Sequence, residues 1–238
     1  MPERLTHIRT GHDPDPAASM SLHADAYTDP EWFELEQTAI FARTWQWICH
    51  VETVSAPGSY TTASVAGRPI VVARDAHGEL RAFYNVCKHR AHELLAGSGS
   101  VRSIVCPYHA WTYDLSGRLI SARHSSHLVD FDPSTVCLEA LPVAEFAGFV
   151  YVNLDGECEG LREQTVELAS EIEAWAPDVE QLTFAHRLTY DIASNWKNVV
   201  DNFLECYHCH VAHRDFVSLV DMDTYAVTTH GIWSSHMA

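Results

Sequence analysis

Basic residues are scarce in this 238-residue chain: 15 lysines and arginines stand against 32 aspartates and glutamates, a formal charge of −17 at pH 7. A surface that negative repels phosphate backbones, and no basic run offsets it, which argues against nucleic-acid binding. Long apolar runs are also missing. The longest, such as Ile70-Val71-Val72-Ala73, have the length of a strand and fall far short of a membrane span. Met1 to Met20 is polar, holds Pro14 and Pro16, and lacks the apolar stretch of a signal peptide. The expectation is a cytoplasmic protein that touches no membrane. Neither an internal repeat nor a low-complexity segment is present, and no G-x-G-x-x-G fingerprint marks a dinucleotide site.

Hydrophobic residues make up 47% of the chain, enough for a real core, and the count of 7 cysteines and 16 histidines stands out. In a reducing compartment an odd number of cysteines favours ligands and buried apolar thiols over disulfides. Cys49, Cys137 and Cys158 have no motif partner and are expected as buried apolar residues. His92, His124 and His127 are likewise expected to be structural or exposed.

Asp29-Pro30 reads as a helix N-cap followed by proline at the first helical position, with Trp32, Phe33, Leu35, Ile40 and Phe41 as the apolar face. Trp45, Trp47 and Ile48 are expected to continue into something buried. From about Gly58 the period changes to that of strands: Tyr60 to Val65, Ile70 to Ala73 and Leu80 to Val86, separated by turns at Ala66-Gly67-Arg68 and Asp75 to Gly78. Short strands continue to Gly148–Leu154, an all-β region of small-barrel or sandwich type. Helical spacing returns at Leu161, Val166, Leu168, Ile172 and Trp175. Thr183 to Tyr190 allows a strand, and Ser194 reads as the N-cap of a helix through about Tyr207.

Two loops carry the first chemistry. Cys87-Lys88-His89 is C-x-H, and Cys106-Pro107-Tyr108-His109 is C-x-x-H. A mononuclear zinc site also accepts two cysteines and two histidines, but it prefers like ligands grouped together. Here each loop mixes one thiolate with one imidazole. A Rieske centre has one iron on two thiolates and the other on two imidazoles, so one of each from either loop serves both irons.

The second constellation lies in Asn195-Trp196-Lys197 through His213. On a helix Asp201, Glu205 and His208 fall at i, i+4 and i+7 and share a face. His208 and His213 are five apart, about 140° around a helix, so binding one metal requires a break near Cys209. Two histidines and a carboxylate form the facial triad of non-haem Fe(II) oxygenases. Cys206-Tyr207-His208-Cys209 also matches the redox dithiol pattern C-x-x-C, though no βαβ context surrounds it. His210 is expected to be a bystander.

Both stretches closely resemble Rieske non-haem iron oxygenases: Asn85 to Arg90 with Cys106 to Tyr113, and the Asn-Trp-Lys … Glu-x-Tyr-His-x4-His segment. One departure is Ala91, where the family usually has glycine. The resemblance implies an α+β fold, an all-β Rieske domain (45–155) set into the N-terminal part of an incomplete helix-grip, START-like catalytic domain (156–238), with a lead-in and helix over 1–44. It implies a 2Fe–2S cluster on Cys87, His89, Cys106 and His109, and a mononuclear non-haem Fe(II) on His208 and His213. Glu205 becomes the bridging carboxylate, with Asp201 and Asn202 behind it. The third iron ligand is expected downstream of Ala238, so the chain reads as a fragment or a truncated frame.

The wording Asp-Asn-Phe-Leu-Glu-Cys-Tyr-His-Cys-His resembles the branch acting on quaternary ammonium compounds, such as stachydrine (proline betaine) demethylases and carnitine monooxygenases. The implied activity is O2-dependent hydroxylation and N-demethylation, in a homotrimer fed by a separate flavin- and ferredoxin-type NAD(P)H reductase. Phe216, Tyr225 and Trp233 are on hand for a cationic nitrogen. An aromatic-ring dioxygenase and a Rieske electron carrier without oxygenase activity are the rival readings.

Overall fold

In a computed structural model the described residues are 13, 15, 17–125 and 127–238, so much of the expected polar lead-in lies outside them. Two short helices come first, α1 (Asp25–Thr28) and α2 (Pro30–Glu36), the latter continued by a π-helical turn over Gln37–Phe41. Ten strands follow: β1 (Gln46–His50), β2 (Ser59–Val65), β3 (Arg68–Arg74), β4 (Leu80–Tyr84), β5 (Ser98–Ser100), β6 (Ile104–Val105), β7 (Thr112–Tyr113), β8 (Leu119–Ser121), β9 (Val143–Phe146) and β10 (Phe149–Val152). Then come α3 (Leu161–Gln164), α4 (Val166–Trp175), α5 (Trp196–Leu204), α6 (Cys209–Ala212) and α7 (Arg214–Leu219), and a closing hairpin of β11 (Ala226–Thr229) and β12 (Ser234–Met237). The described residues contain no helix long and apolar enough to cross a membrane.

Two units divide the chain: Glu36–His186 is one, and Arg187–Ala238 joins the segment before Glu36 in the other. The β-rich unit is thus an insertion in the sequence of the other, the α+β arrangement expected.

The insertion is built around β3. Its Ile70, Val71, Val72 and Ala73 are all fully buried, although a strand points successive side chains to opposite faces. Both faces of the antiparallel sheet β4-β3-β2-β5 are therefore covered. Val71 and Ala73 meet Phe83, Ile104, Tyr113 and Leu119, which brings the small sheet β6-β7-β8 against one side. Ile70 and Val72 meet Cys49, Val150 and Val152 of the sheet β1-β10-β9 on the other. Gly117 closes the β7–β8 turn at φ +89°, and a Cβ there would stand 2.6 Å from the Phe83 ring, so only glycine fits.

In the second unit Asp29 caps α2 as expected, its carboxylate accepting from the Glu31 N–H (2.8 Å) and the Trp32 N–H (3.2 Å). Four expectations change. Trp47 is 46% exposed, on the edge strand β1 with its ring edge to face with Phe149 at 6.2 Å. Cys137 is exposed. Residues 183–190 form no strand, since no ladder partner lies beside them among the described residues. The helix at 196 is capped by Asn195, whose side chain accepts from the Lys197 N–H (3.0 Å), while Ser194 accepts from the Asn198 amide.

Candidate functional site

The two Cys-His loops share one construction. In the first, the Cys87 N–H donates to the His92 carbonyl (2.9 Å) and the Ala91 N–H to the Cys87 carbonyl (3.0 Å). In the second, the Cys106 N–H donates to the Trp111 carbonyl (2.8 Å) and the Ala110 N–H to the Cys106 carbonyl (3.0 Å). Ala91 (φ +54°) and Ala110 (φ +57°) hold the same left-handed position in each. Each loop folds back over its cysteine, which buries both sulfurs (2% and 3% exposed) in the core cluster around Tyr113. The histidines end up on the outside. Their rings stand 4.8 Å apart at 73°, with His89 stacked on Trp111 at 4.7 Å.

Asn85 anchors the first loop from beneath. It is fully buried and fully paired, its amide donating to the Leu95 carbonyl (2.7 Å) and Glu93 (3.1 Å) while its oxygen accepts from the Leu95 N–H (3.0 Å). A left-handed backbone costs an L-residue about 1–2 kcal/mol, and glycine loses more entropy on folding. Ala91→Gly is therefore expected to stabilise the chain by up to about 1 kcal/mol, read as a higher denaturant midpoint at unchanged m-value.

Tyr113 is a residue the motif reading passed over, although the strand alternation through 111–115 points it inward. Its hydroxyl accepts from the Lys88 N–H (3.1 Å) and lies 3.3 Å from the Cys87 sulfur. Burial first, and the contact with Cys87 second, push its pKa far above the usual phenol value. The hydroxyl thus keeps its proton, which is available to the Cys87 sulfur when that sulfur is a thiolate. His109 is shifted the other way. Desolvation, then the charges of His89, Arg90 and His92, hold its pKa below the usual imidazole value, which favours the neutral, ligating form.

In the second constellation the helix stops sooner than expected. α5 ends at Leu204, and Glu205 is extended (φ −127°, ψ 154°). Asp201, Glu205 and His208 therefore do not share one helical face. Instead Glu205 folds onto its own C-terminal neighbours, accepting from the Tyr207 N–H and from His208 Nδ1 (2.5 Å). The hydrogen bond from His208 holds the Glu205 carboxyl below its ordinary pKa, so it is ionised at neutral pH and only accepts. Nδ1 must then be the donor, leaving Nε2 with its lone pair free for a metal, as in a carboxylate–histidine–metal chain. The break at Glu205, followed by the short α6, brings the rings of His208 and His213 to 5.0 Å at 71°.

Asp201 is not beside Glu205. It accepts from the Tyr27 hydroxyl at 2.6 Å, a contact across 174 positions that no local signal announces, and that bond pushes the Tyr27 pKa up to about 12. Asn202 is exposed at the outer end of α5. Phe216 and Tyr225 lie edge to face at 6.3 Å, with Tyr225 hydrogen-bonded to His236 (2.6 Å). Trp233 is stacked on His230 at 4.0 Å.

Do these residues fit the implied groups? Among the described residues no group of three or more His, Cys, Asp or Glu side chains is arranged around a single ion. A diiron Rieske cluster does not ask for one, because each iron takes two protein ligands. Two buried sulfurs behind two adjacent rings are the donor set it requires, whereas tetrahedral zinc needs all four on one point. For a mononuclear iron, His208 and His213 are two adjacent imidazoles that would fit as ligands, the first of them held by Glu205.

The Rieske [2Fe-2S] domain model matches residues 44–138, and the ring hydroxylating alpha subunit (catalytic domain) model matches 179–234. A carnitine monooxygenase oxygenase subunit of Acinetobacter pittii is 42% identical over 209 residues, 87% of this chain and 56% of the relative. A chloroplastic choline monooxygenase of Beta vulgaris is 36% identical over 94% of this chain and 52% of its own length. The crystal structure of the quaternary ammonium Rieske monooxygenase CntA superposes with a TM-score of 0.83 at 41% identity, over 89% of this chain and 59% of that one. The chain thus spans little more than half the length of these relatives.

Proposed function

The chain belongs to the Rieske non-haem iron oxygenases, and from that membership we propose that it serves as the oxygenase component of a system oxidising small quaternary ammonium compounds. The observation that carries the reading is the pair of like-built loops, each with one buried sulfur and one exposed imidazole. In this reading Cys87 and Cys106 hold one iron of the cluster and His89 and His109 the other, while His208 and His213 hold the mononuclear iron. Bound there, the two groups supply one-electron storage and dioxygen chemistry.

The rest is work for the chain's own side chains. Tyr113 donates a hydrogen bond to the Cys87 sulfur, which stabilises the more negative, reduced form of a thiolate-bound centre. Tyr113→Phe is expected to lower the midpoint potential by on the order of tens of millivolts, measured by redox titration of the visible spectrum. Glu205 fixes the tautomer of His208 and, in a homotrimer, faces His109 of a neighbouring copy. A separate flavin- and ferredoxin-type reductase supplies electrons from NAD(P)H.

The substrate class follows the printed activities of the relatives, which act on carnitine and choline. The acidic surface suits a cation. Within that class the motif from Asp201 to His210 resembles proline betaine demethylases and carnitine monooxygenases alike, and proline betaine, whose demethylation releases formaldehyde, is the substrate proposed. The test is a reconstituted assay with reductase, NADH and oxygen, offering proline betaine, carnitine, choline, glycine betaine and a simple arene in parallel. The expected result is oxygen uptake matched one to one by product with a quaternary ammonium compound. Matched uptake with the arene alone sinks the reading.

A further inference from the structure

Cys206 and Cys209 are joined in a disulfide that closes over Tyr207 and His208, whereas the other five cysteines are free. The stabilisation a cross-link gives the whole fold grows with the length of chain it closes, and this loop, with a separation of 3, is very short. Its effect is therefore local, and the local residues are His208 and Glu205. Inside the bracket His208 Nδ1 bonds Glu205, the Cys209 N–H donates to the Cys206 carbonyl (3.1 Å), and the His208 carbonyl accepts from Val211 (3.0 Å) and Ala212 (2.9 Å). Without the S–S bond the turn between α5 and α6 rests on these hydrogen bonds, around a Tyr207 that is 97% exposed.

We propose that Cys206 and Cys209 are a second redox site of this chain, a dithiol that a hydroperoxide closes and a small thiol reopens, and that closure clamps His208 against Glu205. The proposal rests on the reading of His208 as an iron-holding imidazole. Cys206 is partly exposed and Cys209 only 4% exposed, which assigns the two roles. The Cys206 sulfur attacks one oxygen of the hydroperoxide; the O–O bond breaks, water or an alcohol leaves, and a sulfenic acid remains. The Cys209 sulfur then displaces the hydroxyl as water, forming the S–S bond. Two thiols are oxidised by two electrons and the peroxide is reduced by the same two. Two equivalents of a small thiol reverse the step by exchange through a mixed disulfide.

The test uses the full chain, with iron content and visible spectrum recorded alongside. The protein is equilibrated in glutathione buffers of graded potential, quenched in acid, unfolded and alkylated. All seven cysteines are expected to take label at the reducing end and two fewer at the oxidising end, with the loss mapped to Cys206 and Cys209 and a two-electron slope between. Peroxide treatment followed by a sulfenic-acid trap is expected to label Cys206 in C209S and leave Cys209 in C206S unlabelled. Hydrogen exchange of the 205–213 amides is expected to be several-fold slower in the oxidised form. A bridge that never forms, or that native protein never reopens under excess glutathione, overturns the couple. Equal exchange rates in the two forms overturn the clamp. Protein without iron that still titrates these two sulfurs fails the oxygenase reading and leaves the couple standing.

Discussion

Cys106→Ser is expected to yield a folded chain without the visible absorption or the iron of the cluster, and with substrate oxidation reduced to background. Cys106 is 3% exposed and belongs with Tyr113 and Cys87 to the main core cluster. Serine is close to cysteine in size, so the core does not empty. The cost is one buried hydroxyl, about 1–3 kcal/mol if it finds no partner. Circular dichroism and a retained cooperative transition check that the scaffold survives. What serine does not supply is a soft thiolate, and iron–sulfur clusters are held by thiolate ligands. Even altering a group that only supports a metal ligand costs about 10–100-fold in affinity or activity, and removing a ligand outright is expected to exceed that. A variant that keeps the absorption and the low-temperature paramagnetic signal shows that the two loops do not grip a diiron centre. Wild-type protein that loads zinc instead says the same.

The insertion was legible because its signals are short-range. Ile70-Val71-Val72-Ala73, bounded by turn residues, reads as a strand, and β3 is that strand, buried on both faces. The mixing of Cys and His within each loop points to a cluster with two protein ligands on each iron, and the Rieske [2Fe-2S] domain model matches that stretch. The helix end at Glu205 was not legible, since no glycine or proline stands near it. The cause is the side chain itself: Glu205 takes the Tyr207 N–H and the His208 ring, and a carboxylate that binds its own backbone competes with the next helical turn. The departure of Asp201 from a face shared with Glu205 and His208 was not legible for the opposite reason. Its partner, Tyr27, lies 174 positions away, and only the folded chain brings the two together. Tyr113 falls between, visible as an inward strand residue but not as a neighbour of Cys87 until the β7 register is fixed.

Glu205→Gln separates the charge of this carboxylate from its shape. Glutamine keeps the size of the side chain and one oxygen, which can accept from His208 Nδ1–H and hold its tautomer, while the position of the second carboxylate oxygen, which takes the Tyr207 N–H, becomes an NH2 donor. The negative charge and one of the two accepted bonds are lost together. If Glu205 were a cap for the turn and nothing more, turnover would change little. In the proposed reading, a carboxylate behind a metal-binding imidazole raises the basicity of His208, and a bridging carboxylate couples that ring to a neighbouring copy's cluster. The expected outcome is a loss of about 10–100-fold in coupled turnover. The Rieske spectrum and cluster iron should be unchanged, because His89, His109 and both sulfurs lie on other loops. Rapid mixing with the reductase places the defect: the cluster should still reduce at the wild-type rate, and its reoxidation in the presence of substrate and oxygen should slow by the same factor as turnover. Glu205→Asp keeps the charge but shortens the reach to His208, so partial recovery there with no recovery in Gln assigns the effect to the carboxylate. Wild-type reoxidation in the Gln variant reduces Glu205 to a structural residue and removes the proposed route between the two irons.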